Sequence, residues 1–234
     1  MRGSKSVSET VRAVTFDVGG TLIDPHPSVG HIYAEVAGRH GYVDISPALL
    51  NRRFAAAWRR LRNFRHTRAQ WAGLVDATFD GLTERPPSRT FFGELYDRFT
   101  EAAAWHVYDD VRPALEALAA RGLKLGIVSN WDHRLRPLLR GLRLDRYFEV
   151  MVISCEVGAV KPARAVFRRA AARLGLPPGA ILHVGDSPAM DCQGARAAGM
   201  QSVLLRRGAG RPQAGQIRSL RQFTQSFCYG DDIE

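Results

Sequence analysis

The chain has 234 residues, 45% of them apolar and 24% charged, which allows a sizeable core and excludes disordered, collagen-like and coiled-coil classes. No apolar run approaches the roughly 20 residues that span a bilayer, and Met1–Thr10 lacks the apolar centre of a secretory signal, so a cytoplasmic protein without membrane contact is expected. The net charge of +10 is almost all arginine, 30 of 33 basic residues, spread along helix-like segments without the aromatic interleaving of a nucleic-acid reader; no nucleic-acid partner is expected.

Val11–Phe16 is a short, β-branched apolar run stopped by Asp17 and the Gly19-Gly20 pair, a strand followed by a loop. From about Pro25 to His106 no strand pattern is found. Four helix-like pieces fill the stretch: Ser28–Arg39, Ser46–Leu61, Arg68–Leu82 and Ser88–Ala104, the first two opening on a serine suited to cap a first turn. Ile32, Phe54, Trp58, Trp71, Phe79, Phe91 and Phe92 are the expected core of this bundle.

Beyond it, strand patterns at Leu123–Val128, Val150–Ser154, Ile181–Val184 and Ser202–Leu205 alternate with helical periods at Val111–Arg121, His133–Arg140, Ala163–Leu174 and Ala189–Ala198. Such alternation implies an α/β fold, a doubly wound parallel sheet covered on both faces. The expected organisation is a core of residues 1–24 and 107–234 with an inserted α-helical domain at 25–106. After Gly208 the chain is Gly-, Gln- and Arg-rich, then apolar over Ile217–Phe227, a patch suited to cover the sheet edge or to pair subunits, and ends with Asp231-Asp232. A monomer or a homodimer fits equally. Cys155, Cys192 and Cys228 are far apart without C-x-x-C spacing and are expected to be reduced thiols.

Ligands of open α/β sheets bind beyond the carboxyl ends of the strands. There the chain places Asp17 on a turn whose Gly19 and Gly20 let backbone amides approach an anion, then Ser129-Asn130, Lys161, and Gly185-Asp186 with Asp191. Singly, each has a structural reading as a turn, a helix cap or a solvated loop. All of them in this order at strand ends form a pattern.

That pattern resembles the haloacid dehalogenase superfamily of hydrolases, most closely the phosphatase-like members with a helical cap inserted after the first strand. The resemblance runs from Val11 to about Leu205 and rests on Asp17–Thr21, Ser129, Lys161 and Gly185-Asp186 with Asp191. It implies Asp17 as nucleophile and Mg2+ ligand, with the Gly19 carbonyl, Asp186 and Asp191 completing the ion's surroundings, Asp191 as ligand or as a partner behind one. It implies Ser129 and Asn130 on the phosphoryl oxygens, Lys161 as the neutralising charge, and Thr21 and Gly20 shaping the substrate-binding loop. A small phosphorylated substrate and an aspartyl-phosphate intermediate follow from the same resemblance.

The departure is Gly19, where phosphatases of this family carry a second aspartate that protonates the leaving group and later activates water. Asp24, His26 and His31 are candidates to replace it, a good leaving group would make it dispensable, and weak or absent activity is the third outcome. A Schiff-base phosphonate hydrolase needs a cap lysine, and residues 25–106 contain none. A metal-independent 2-haloacid dehalogenase-like hydrolase, a phosphoryl-transferring mutase and a catalytically weak binding or regulatory protein stay open.

Overall fold

The computed structural model describes residues 11–208 and 215–229, with side chains described as far as 225. Met1–Thr10, Asp231-Asp232 and the Cys228 side chain lie outside the described residues. Two compact units are built from the chain. Among the described residues, one comprises 11–23, 107–130 and those from 143 onward; the other comprises Asp24–His106 and Trp131–Leu142. The segment Trp131–Leu142 therefore groups with the helical unit, not with the core to which its place after a strand had assigned it.

In the first unit, β1 (Ala13–Phe16), β4 (Lys124–Ser129), β5 (Val150–Ile153), β6 (Ile181–Gly185), β7 (Gln201–Leu205) and β8 (Gln216–Ile217) form a parallel sheet of order β5-β4-β1-β6-β7-β8. Every residue of β1 is buried, as expected of a central strand covered on both faces. Register places Phe16 beside Ile127 on one side and Val184 on the other, so Asp17, Ser129 and Asp186 emerge together at one edge. Helix Arg164–Leu174 covers one face; its Val166, Phe167, Ala170, Ala171 and Leu174 pack with Ala13, Val128, Val152 and Ile181.

The sheet ends in the segment that sequence left open. Strand β8 pairs with β7, and helix Leu220–Tyr229 packs on helix Val111–Ala120, with Ile217, Leu220 and Phe223 fully buried. The apolar patch thus covers this sheet edge.

The helical unit contains helices Val29–Arg39, Pro47–Arg60, Arg68–Phe79, Phe92–Arg98 and Leu135–Gly141. Ser28 caps the first by accepting from His31 N, and Thr67 and Gln70 form a reciprocal capping box at the third. Its core gathers Ile32, Tyr33, Val36, Leu50, Phe79, Phe91 and Leu95. Trp58, expected inside, is 42% exposed and stacks instead on the rims of Phe54 and Trp71. Two details at the borders were not expected: β2 (Ile23–Pro25) and β3 (Trp105–Val107) pair as a small second sheet. The helix expected over Ser88–Ala104 is broken into a 3-10 turn, the helix Phe92–Arg98 and a second 3-10 turn, since Thr90 leaves helical geometry at φ −132°, ψ −88°.

Candidate active site

The first loop folds back tightly on itself. The Val18 carbonyl accepts from the amides of Thr21, Leu22 and Ile23, and Gly20 N donates to Ile23 O. Asp17 N donates to Val184 O of the neighbouring strand, fixing the carboxylate at the sheet edge. Gly20 takes φ +72°, and a Cβ there would meet Asp186 Oδ2 at 2.7 Å; this turn requires glycine for both reasons. Gly19 pairs with Ile23 in an isolated bridge and does not share the left-handed φ.

Asp17 Oδ1 accepts from Ser129 Oγ at 2.7 Å and from Lys161 Nζ at 2.7 Å. Among the described residues, its Oδ2 has no hydrogen-bond donor. Lys161, with a side chain only 3% exposed, also reaches Asp191 Oδ1 at 2.6 Å. Burial pulls the ammonium's pKa down, but the two carboxylates outweigh it and hold the group charged. Asn130 grips the same lysine through the main chain: its Oδ1 accepts from Lys161 N at 2.7 Å and its Nδ2 donates to Lys161 O. Its amide therefore faces Lys161 rather than standing free for a phosphoryl oxygen.

Asp191 sits in a π-helical turn, Pro188–Gln193, the irregularity that replaces the start of the expected helix Ala189–Ala198. The turn swings the carboxylate back under Gly185, where a Cβ would lie 2.2 Å from Asp191 Cγ. Its Oδ2 accepts from Ser187 N at 2.9 Å, and its Oδ1 also contacts His183 Nε2 at 3.2 Å. Burial would raise its pKa, but Lys161 and His183 hold it well below the usual carboxylate range. Behind it, His183 Nδ1 lies 2.9 Å from Thr15 Oγ1, both fully buried. Sequence reasoning missed His183 and Thr15. Their signal was a polar residue in each of two otherwise apolar buried strands.

One oxygen each of Asp17, Asp186 and Asp191 lies within 4.8 Å of the others. Burial first, then repulsion from Asp17 and Asp191, push the Asp186 carboxyl up to about 6. Three carboxylates against one ammonium leave an excess of negative charge, and hard oxygen donors of this kind suit a hard divalent cation. Asp191 is the member whose oxygens already carry three donors. Thr21 is buried with an unpartnered hydroxyl. Asp24, His26 and His31 all fall in the helical unit, where His31 Nδ1 is engaged by Ser28 Oγ at 2.8 Å and His26 packs against His106.

Asp17 on its loop, a serine, a lysine and an acidic pair thus stand together at the carboxyl edge of a doubly wound parallel sheet, the place where ligands of such sheets bind. The chain belongs to the haloacid dehalogenase-like hydrolase family, whose sequence pattern matches residues 11–199. It is 34% identical over 206 residues to haloacid dehalogenase-like hydrolase domain-containing protein 3 of Mus musculus, covering 83% of this chain and 82% of that protein. It is 31% identical over 213 residues to phosphoglycolate phosphatase of Escherichia coli (strain K12), covering 86% and 83%. A HAD phosphatase from Thermococcus onnurineus aligns over 94% of this chain and 99% of its own, with a TM-score of 0.66 and 28% identity.

Proposed function

We propose that the protein is a Mg2+-dependent phosphatase of a small phosphorylated metabolite, acting through an aspartyl-phosphate on Asp17. The observation that carries this reading is the Asp17 carboxylate itself: one oxygen is held by Ser129 and Lys161, and the other is left to attack. Similarity to phosphoglycolate phosphatase and to a HAD phosphatase supports the phosphoryl chemistry.

In this reading Asp17 Oδ2 forms a bond to phosphorus as the bond to the leaving oxygen breaks, and water then attacks phosphorus and releases the carboxylate. Lys161 and Ser129 stabilise charge on the transferring group, and Asp191, His183 and Asn130 hold Lys161 in place. Asp17, the Gly19 carbonyl and Asp186 would hold the ion, with Asp191 against its surroundings; bound Mg2+ supplies charge neutralisation for the approach of an anionic substrate. Gly19 has no side chain to donate or take a proton, so the leaving oxygen leaves without that help. The reading therefore favours substrates with good leaving groups, acyl or aryl phosphates over alkyl esters.

The test is Mg2+-dependent hydrolysis of acetyl phosphate, an aryl phosphate and several sugar monophosphates, with Asp17→Asn as control. Turnover of the activated phosphates that disappears in Asp17→Asn is expected. Equal turnover by both proteins removes the phosphatase reading and turns attention to halide displacement or to binding without catalysis.

A further inference from the structure

We infer that Arg207 is a positioning residue for the Asp17–Thr21 loop, and that the chain after β7 serves to anchor that loop; the inference rests on the proposed role of the loop in catalysis. Arg207 lies outside residues 11–199, the part of the chain matched to the family, and it touches no reacting group.

Thr21 is completely buried, and its carbonyl oxygen accepts from Arg207 Nε at 3.1 Å and Nη2 at 2.8 Å. A buried carbonyl needs a donor, and this one receives a charged fork. The same guanidinium binds Asp110 at both carboxylate oxygens, 2.8 and 3.2 Å, and lies 3.8 Å from the centre of the Tyr108 ring. Asp110 in turn accepts from Leu220 N at 2.7 Å, and Tyr108 N donates to Leu22 O at 3.2 Å. The preceding residue is fixed as well, because Arg206 N donates to Ile217 O at 2.7 Å across the β7–β8 ladder.

Arg207 thus joins three segments far apart in sequence: the nucleophile loop, the entry to helix Val111–Ala120, and the C-terminal strand and helix. Both members of the ion pair are largely withdrawn from water, with side chains 16% and 12% exposed, so the contact is screened less than a surface pair. The planar fork serves Thr21 O and Asp110 at once while its face rests on Tyr108; lysine, with a point charge, cannot do both. Within the loop, Thr21 follows Gly19 and Gly20 directly, so a shift of its carbonyl moves the backbone that sets the Asp17 and Gly19 oxygens.

The test compares the full chain with Arg207→Met and Arg207→Lys by hydrogen exchange, thermal melting and acetyl phosphate kinetics. In Arg207→Met, amide exchange over residues 17–23 rises at least about tenfold, as expected for loss of a charge-assisted hydrogen bond, while exchange in β4 and β5 stays at the wild-type rate. Its kcat falls with KM little changed, and Arg207→Lys recovers part of both effects. Exchange that rises evenly across the sheet, or not at all in the loop, overturns the proposal. If Arg207→Met does not fold, Asp110→Asn keeps the guanidinium on Thr21 and weakens its anchor; the same loop-confined exchange is expected, and its absence is equally fatal. Should wild type and Asp17→Asn prove equally inactive, the phosphatase reading fails, and the exchange data still decide whether Arg207 anchors the loop.

Discussion

In the proposed phosphatase reading, the smallest residue of the site sets its chemical limit. Gly19 offers no acid to protonate a leaving oxygen, and its backbone does not take the left-handed φ that Gly20 requires. Gly19→Asp is expected to raise kcat/KM on alkyl phosphates by about 10²-fold, the lower end of general-acid assistance, with little change on acetyl phosphate. No change on either substrate would mean that another group already protonates the leaving oxygen. His183 makes a different kind of contribution, since it contacts both Thr15 and Asp191 in the dry interior. His183→Leu leaves the buried Thr15 hydroxyl without its partner and takes one of three donors from Asp191; it should cost about 1–3 kcal/mol, read as a lowered midpoint in urea. Asp17, Ser129 and Asp186 were legible because each stands at the end of a buried strand, and Lys161 because it is one of only three lysines in the chain. His183 was not, because an isolated histidine in an apolar run carries no spacing to interpret.

At the scale of elements, the central strands were legible to within a residue or two: Leu123–Val128 was expected and Lys124–Ser129 is found. A strand buried on both faces is a near-continuous, β-branched apolar run, unlike the alanine-rich apolar run Phe54–Trp58 inside helix Pro47–Arg60. The π-helical turn at Pro188–Gln193 was not legible, because Cys192 N bonding back to Ser187 O answers to the geometry of Asp191 and not to any local period. In the helical unit the first two helices meet where Gly30 has no side chain. A Cβ there would lie 2.1 Å from Pro47 O, and Gly30 N donates to Asn51 Oδ1 at 2.7 Å. Gly30→Ala should therefore force the helices apart and cost about 1–3 kcal/mol, measured by chemical denaturation; a neutral result would show that this crossing is slack.

Across the whole molecule, acid should lower stability through buried carboxylates paired with arginine. Asp132 is such a group, bound by both arms of the Arg134 guanidinium at 2.9 and 2.7 Å, with that guanidinium lying over the Tyr96 ring. Burial would raise its pKa, but Arg134, aided by His133, holds it below the ordinary carboxylate value. The folded value lies below the unfolded one, so the pair's stabilisation is present above the ordinary carboxylate range and is lost as pH falls through the folded value. Melting temperatures from pH 7 down to pH 3 should fall less steeply in Asp132→Asn than in wild type, although the variant starts lower because Arg134 is left buried without its partner. Parallel slopes would remove this pair from the acid response.

The parallel sheet also has a consequence for synthesis. Ser129 and Asp17, 112 residues apart, share a hydrogen bond, and Thr15 meets His183 across 168 residues. Contacts of such separation are slow to form, since long stretches of chain must be closed before any pairing is rewarded. Asp17 leaves the ribosome before Ser129, and the strand carrying His183 and the acidic turn follow both. The Asp17–Ser129 and Thr15–His183 contacts can therefore form only after those later strands are made. Until then β1, apolar on both faces, waits for neighbours, which makes this strand the point where chaperones or aggregation would first compete for the protein.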